Sequence, residues 1–392
     1  MSEIILGTRK GTIILHKRDG SWREKTHAHQ GTNVAYADKD PRTGNYWSAL
    51  DHGHWGSKMS RSTDDGQTWA DAGQIKYPEG SKYIESPFTD PGPEGPAVRE
   101  AKVLKLWVIG FGGDNQPGRL YCGTIPGGLF VSNDNGESWE LNRNLWNDES
   151  RGGDLFNSSN GRAPGKRQLW FGTPASGESG EFAAGIHSIA VNPQNPSHYM
   201  LAVSCAGVVE TQDDGQTWRP RNKGIKAFGM PNPEDVEWGH DVHFLDICKN
   251  DPRHVWHQNH GGVYYSNDGA ESWTCVDDKD KGVHFGWPIA VDANDGRTAW
   301  IVPQQSDQAR LAVDRSLFVG RTEDGGKSWK QLRKGLPQEN AFDTVYRHCL
   351  DNSNDALAFG TTNGNLYVSE DRGDSWYTIG TNFPPIHSVR FA

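Results

Sequence analysis

Three histidines hold one position in a repeating unit. His187, His243 and His387 each stand second in a strand-like run, within Ile186–Val191, Val242–Ile247 and Ile386–Phe391. His52, His54 and His260 fall in short links expected at the same end of their own strands. Six imidazoles converging near one axis support three chemistries. Neutral rings ligate zinc, copper, nickel or iron, so a divalent metal fits these residues, although no cofactor is firmly implied. Rings titrating near neutrality recognise sugars or move protons. Rings bonded to neighbouring strands fill a wet channel. All three readings stand on the sequence.

Carboxylates come next. Glycoside hydrolysis needs two carboxyl groups about 5–5.5 Å apart for retention or about 6.5–9.5 Å apart for inversion. Acids expected on the same face include Asp51, Glu85, Asp154, Glu178, Glu181, Glu237 and Asp241. Asp51 precedes His52, and Glu237 and Asp241 precede His243, which makes these three the preferred catalytic candidates. Each also fits a solvated or loop-capping acid, and the sequence cannot pair them. Trp55, beside His54, joins the six histidines as a ligand-binding candidate. Trp146, Trp170, Trp238 and Trp287 fall in or beside the long insertions, where a ring face suits a pyranose or packs its own loop. Trp47, Trp107, Trp256 and Trp300 sit inside expected strands and are expected to be core.

The elements that position these residues follow from a repeat. Ser/Thr-x-Asp-x-Gly-x-Ser/Thr-Trp recurs as Ser62–Trp69, Ser132–Trp139, Thr211–Trp218, Ser266–Trp273, Thr322–Trp329 and Ser369–Trp376, with a shortened copy at Asp19–Trp22. An Asp at a turn accepts from nearby backbone N–H groups, Gly supplies a positive φ, and Trp opens the return strand with a large apolar face. Asp19, Asp64, Asp134, Asp213, Asp268, Asp324 and Asp371 are therefore structural. Ala270 replaces the Gly of the fifth copy, where a strained turn is expected.

Four short strands per unit make a propeller blade. The fold class is all-β: one seven-bladed β-propeller domain over residues 1–392. The chain enters at Glu3-Ile-Ile-Leu-Gly-Thr8, which matches a second strand. It ends in Ile386-His-Ser-Val-Arg-Phe391, which matches a first strand, so residues 386–392 are expected to complete the first blade and close the ring. Long insertions fall at about 72–100 and 143–184, with smaller ones at 221–239 and 277–286. All leave a blade on the face opposite the Asp turns, around the channel mouth, where loops carry function. A ligand or deep pocket is expected against at least two of the six histidines.

Composition bounds the rest. A formal net charge of −10 disfavours nucleic acid. No run approaches the 18 apolar residues of a membrane span, and the N-terminus lacks a signal-peptide pattern, so a cytoplasmic location is expected. Five cysteines without a Cys-x-x-Cys spacing signal neither a disulfide framework nor a zinc knuckle.

The boxes resemble the Asp-box, or bacterial-neuraminidase (BNR), repeats of sialidases, xyloglucan-active glucanases, sortilin-type receptors and a photosystem assembly factor. A nearer resemblance is to uncharacterised bacterial propellers named as glycosyl hydrolases or exo-sialidase-like proteins with these repeats. It is carried by Gly7-Thr-Arg-Lys-Gly11, Asp51-His-Gly-His-Trp-Gly56, Gln258-Asn-His-Gly261 and Pro385-Ile-His-Ser-Val-Arg390. The resemblance implies a carbohydrate-active protein with a glycan or other small polar ligand, or a non-catalytic scaffold with a protein partner. Sialidases carry an early Phe/Tyr-Arg-Ile-Pro segment that is missing here, since Thr124-Ile-Pro126 lacks the Arg. True sialidase activity is therefore not expected.

Overall fold

The computed structural model describes residues 3–54, 56–85, 96–153, 155, 169–170, 173–174, 182–226 and 237–392. Trp55, Asp154, Glu178, Glu181 and most of the 143–184 insertion lie outside them. Seven four-stranded antiparallel sheets form the blades of a β-propeller. Their inner strands are Ile386–Phe391, Asn33–Lys39, Lys105–Phe111, Ile186–Val191, Val242–Ile247, Gly286–Val291 and Leu350–Ser353. Blade one is built from both ends of the chain. Glu3–Thr8 pairs antiparallel with Gly11–Arg18 on one side and with Ile386–Phe391 on the other. The tail thus supplies the innermost strand that the N-terminus lacks. Among the described residues no helix is long and apolar enough to cross a membrane. All five cysteines are free thiols.

Blades pack face to face through apolar rows, which is why the second strand is buried along its whole length in six of the seven blades. Tyr199–Val203 and Ala299–Pro303 are buried at every position. Trp47, Trp256 and Trp300 lie in this core with no exposed surface, as their strand positions imply. Polar side chains add specific blade-to-blade bonds at the axis. Ser388 Oγ accepts from the N–H of Gly7 at 3.2 Å and of Ala37 at 3.0 Å, joining blades one and two. Ser188 Oγ does the same for Leu245 N–H at 3.2 Å. At Gly7 an added Cβ would stand 2.4 Å from Ser388 Oγ, so the close approach requires glycine.

The six full boxes share one geometry. In the second blade Asp64 accepts from Thr68 N–H at 2.8 Å, four residues on, and from the Thr68 and Ser62 hydroxyls. Ser62 Oγ in turn accepts from Gly66 N–H at 3.0 Å. The same set recurs at Asp134, Asp213, Asp268, Asp324 and Asp371. The Ser/Thr positions are therefore part of the turn, as donors to and acceptors within it. Bonds from Thr68 and Ser138 hold the Asp64 and Asp134 carboxyls at about 2. Ala270 keeps the bond to Ser266 Oγ at 2.9 Å by adopting φ +67°, a left-handed conformation costly to a residue with a Cβ. Asp19 departs from the boxes. Asp19 and Gly20 both have positive φ in a two-residue hairpin turn, and Lys17 stands where the first box hydroxyl would be.

Replacing Ser388 by Ala leaves two buried N–H groups without their acceptor. Chemical denaturation should show a loss of about 1–3 kcal/mol; unchanged stability would mean that the seam between blades one and two does not depend on it. Asp268→Ala should cost roughly 1–2 kcal/mol through lost turn bonds. The turn depresses the Asp268 carboxyl, so its contribution is full above about pH 4 and fades as the pH falls further. A variant whose deficit stays constant from pH 7 down to pH 2 would contradict this origin.

Candidate functional site

The histidine phase has a structural cause. Six of the seven inner strands carry a register break near their first residues, and in each a residue bulges out of the ladder. The bulged positions include Trp107, His187, His243, Trp287 and His387, and a bulge re-aims its side chain. These bulges lie at the channel mouth on the face of the blade-to-blade links, because each inner strand begins there.

Below the mouth the channel is filled. His348 Nε2 donates to the His187 carbonyl at 2.7 Å, from blade seven to blade four. Its ring is wedged edge-on between Tyr36 and Phe244, with centroids 5.0 and 5.6 Å away. Arg390 donates to Tyr36 Oη at 2.9 Å and to the His348 carbonyl at 3.1 Å. Burial raises the Asp38 carboxyl to about 6 even with Arg390 beside it. This plug closes the channel below; the mouth above it is called the axial basin.

Three candidate residues come together in that basin. Asp241 Oδ2 lies 3.5 Å from His243 Nε2 and 3.4 Å from His260 Nδ1. His260 reaches it because the link after Val255–Asn259 turns back, with the His260 N–H donating to the Asp241 carbonyl at 2.9 Å. The far nitrogen of His260, Nε2, lies 3.5 Å from Asp307 Oδ2. His243 is clamped: Nδ1 donates to the Gly286 carbonyl at 2.6 Å, Trp287 stacks at 5.9 Å, and Phe285 meets it edge-on. Burial works to raise the Asp241 carboxyl, but the two imidazoles outweigh it and hold it well below the usual range. Cys205 is buried nearby, and its thiol is raised, chiefly by burial and further by the Asp241 charge.

Cations frame the group. Arg347 Nε donates to the His243 carbonyl at 3.0 Å while its guanidinium lies 4.7 Å from the Trp107 ring centre. Burial pulls it down to about 10, so it stays charged at neutral pH. The exposed Arg310 lies over the Trp287 ring at 5.4 Å. Across the mouth, Lys105 opens the third inner strand. Burial lowers its ammonium, and Asp51 opposes the shift.

The other candidates separate. His387 donates from Nδ1 to the Val34 carbonyl at 3.1 Å, and burial with Lys105 and Arg9 nearby lowers its ring. His187 has no exposed surface, bonds to Ser188 Oγ at 3.2 Å and meets Trp107 edge-on. It fills the channel wall rather than facing a ligand. His52 Nδ1 accepts from His54 N–H at 3.1 Å on the link between Tyr46–His52 and Gly56–Ser62. Asp51 accepts from Asn33 at 3.4 Å. Glu237 is exposed and accepts from Asn222 N–H at 3.4 Å, away from Asp241. Glu85 is paired with Arg99. Trp146 and Trp170 are buried about the Arg151 guanidinium, packing their own insertion. Trp287 is an inner-strand residue and not a loop residue. A cleft lined by Pro78, Lys82, Arg143, Trp146 and Leu155 holds none of the six histidines, contrary to the expectation that any deep pocket touches two of them. It opens where two insertions meet.

Asp307, Arg310, Arg347, Lys105 and Cys205 were missed by sequence reasoning. Lys105 and Arg347 did carry a signal, since each sits at or just before an inner strand.

Taken together, these features define a seven-bladed β-propeller with repeated Asp turns and a polar group of side chains at its axial mouth. The chain is 22% identical, over 95% of its length and 90% of the relative's, to a sialidase of Paraclostridium sordellii. Its fold is similar to that of an ancestral GH74 enzyme, with a TM-score of 0.55 and 15% identity over 88% of this chain. It spans 38% of that enzyme's length. No protein-family model matches the chain.

Burial pushes His187 and His348 well below the usual imidazole range. Both rings should stay neutral from pH 8 to pH 5 when followed by NMR. Because the unfolded chain binds those protons and the folded one does not, stability should decline as the pH falls below about 6.5. Ordinary titration of either ring near pH 6.5 would contradict their placement in the plug.

Proposed function

We propose that the protein is carbohydrate-active and binds a carboxylate-bearing saccharide in the axial basin. One observation carries this reading: Arg310 and Arg347 flank the Asp241–His243–His260 group against the Trp287 wall, at a mouth closed below by His348 and Arg390. Guanidinium groups pair with carboxylates in planar geometry, and polar groups converging on an aromatic wall suit a small ligand. Similarity to a sialidase along nearly the whole chain supports a sugar ligand. Trp287, 5% exposed beneath His243 and Arg310, backs the site, while Asp241 and His260 face the ligand's polar edge.

A scaffold function is the second reading. It is favoured by one feature: Asp241 and Asp307 both engage His260, on opposite sides of its ring, instead of flanking an open gap.

Glycan-array binding followed by calorimetry and chromogenic-glycoside assays separates the two. Acidic saccharides should bind, and Arg310→Ala should weaken binding about tenfold or more, the loss of a charge-assisted contact, with the melting temperature unchanged. Binding restricted to neutral glycans, or untouched by the substitution, would overturn the site. Binding without turnover would leave the scaffold reading.

A further inference from the structure

We infer that Asp241, His243 and His260 form a binding site for one divalent transition-metal ion, of the zinc class. The inference deepens the reading of the axial basin as the functional site, but it rests on the geometry of three side chains and not on the identity of any sugar.

The argument starts from the hydrogen on His243. Its Nδ1 lies 2.6 Å from the Gly286 carbonyl oxygen. A carbonyl only accepts, so Nδ1 carries the proton. In the neutral ring Nε2 then presents a lone pair, and it faces Asp241 Oδ2 at 3.5 Å. His260 repeats the pattern. Its Nε2 faces Asp307 Oδ2 at 3.5 Å, and its Nδ1 faces the same Asp241 oxygen at 3.4 Å. A neutral ring with Nε2–H directed at Asp307 presents its Nδ1 lone pair to Asp241. With both rings neutral, two lone pairs converge on one carboxylate oxygen, an arrangement that needs either a proton on each ring or one shared cation.

The distances say what kind of cation fits. A direct bond between imidazolium and carboxylate is about 2.7–2.9 Å long, shorter than both contacts to Asp241. Ligand atoms bound tetrahedrally to zinc at about 2.0–2.1 Å stand about 3.3–3.4 Å from one another. The contacts at 3.4 and 3.5 Å match such edges, and all three ligand atoms lie within 4.8 Å of one another. The outer groups match as well. Metal-bound histidines donate their second nitrogen to a carbonyl or a carboxylate, which are the roles of Gly286 for His243 and Asp307 for His260. Two imidazoles and one carboxylate leave a position free for a ligand oxygen, as in sites that do chemistry rather than hold the fold. In this basin that oxygen would come from the saccharide carboxylate or a hydroxyl, with Arg310 alongside.

The test uses untagged full-length protein, stripped with a chelator and dialysed. Co2+ and Zn2+ are titrated by calorimetry, with visible absorption of the Co2+ form reporting coordination. One ion should bind per chain, with the intense bands of a four-coordinate site. His243 is buried and its replacement risks the fold, so Asp241→Asn and His260→Asn are the informative variants, each checked by its melting temperature. Both should lose about 100-fold or more in affinity, and Asp307→Asn should lose less. Failure of the stripped protein to bind one ion, or equal binding in both ligand variants, would overturn the site. Metal content is measured without sugar. A protein that binds the ion but no glycan refutes the saccharide reading alone, and one that binds glycan equally well after stripping, with no stoichiometric ion, refutes the metal site alone.

Discussion

The structure depends on the pairing of Glu3–Thr8 with Ile386–Phe391. Bringing together two segments from opposite ends of the chain carries a loop-closure cost that grows only logarithmically with length, and one short strand returns several stabilising terms. It completes the ladder of blade one. Ser388 satisfies an N–H of blade two, and the N–H of Phe391 donates to Asp351 on the inner strand of blade seven. Arg390 sits under Tyr36 and His348 in the channel. His387 leans on the Val34 carbonyl at the mouth. Closure, the axial plug and part of the basin rim thus rest on the same six residues.

Closure creates the axis, and the repeated bulge decides what faces it. A regular inner strand would send alternate side chains into the seams between blades. The extra residue near the start of six inner strands breaks that alternation and frees one side chain per blade. Blade five uses the position for His243, blade six for Trp287 and blade three for Trp107. Chemistry and packing therefore compete for one structural slot. His187 shows the packing outcome, with Trp107 covering it from the next blade. His243 stands at the proposed site, with Asp241 two residues before it and His260, from the link after Val255–Asn259, beside it.

The fold was largely legible because its signals are local. The Asp turns, the four-strand rhythm and the mismatched chain ends can each be read within a few residues. Ring closure needed only the recognition that Ile386–Phe391 matches an inner strand with nothing after it. The phase of His187, His243 and His387 was also readable, being a backbone property. Burial was not, since it depends on which neighbour covers each ring. Asp307 and Arg310 approach from a long link of blade six, and Arg347 precedes blade seven; only the closed ring brings them to His260 and His243. Trp287 reads as a loop residue because the Gly286–Trp287–Pro288 sequence breaks the strand pattern that the bulge in fact accommodates. Asp51 and Glu237, chosen for their neighbours in sequence, found other partners in space.

On the proposed reading, function sits where the closed ring gathers side chains from several blades, above a plug that blocks the channel. Its most direct test is a crystal structure of the protein soaked with the saccharide that binds best and with Zn2+, recorded at the zinc absorption edge. The account predicts one anomalous peak bounded by Asp241, His243 and His260, with sugar density over it against Trp287 and Arg310. Sugar density in the cleft beside Trp146 and Leu155, or on the Asp-turn face, with no peak at the axis, would contradict it.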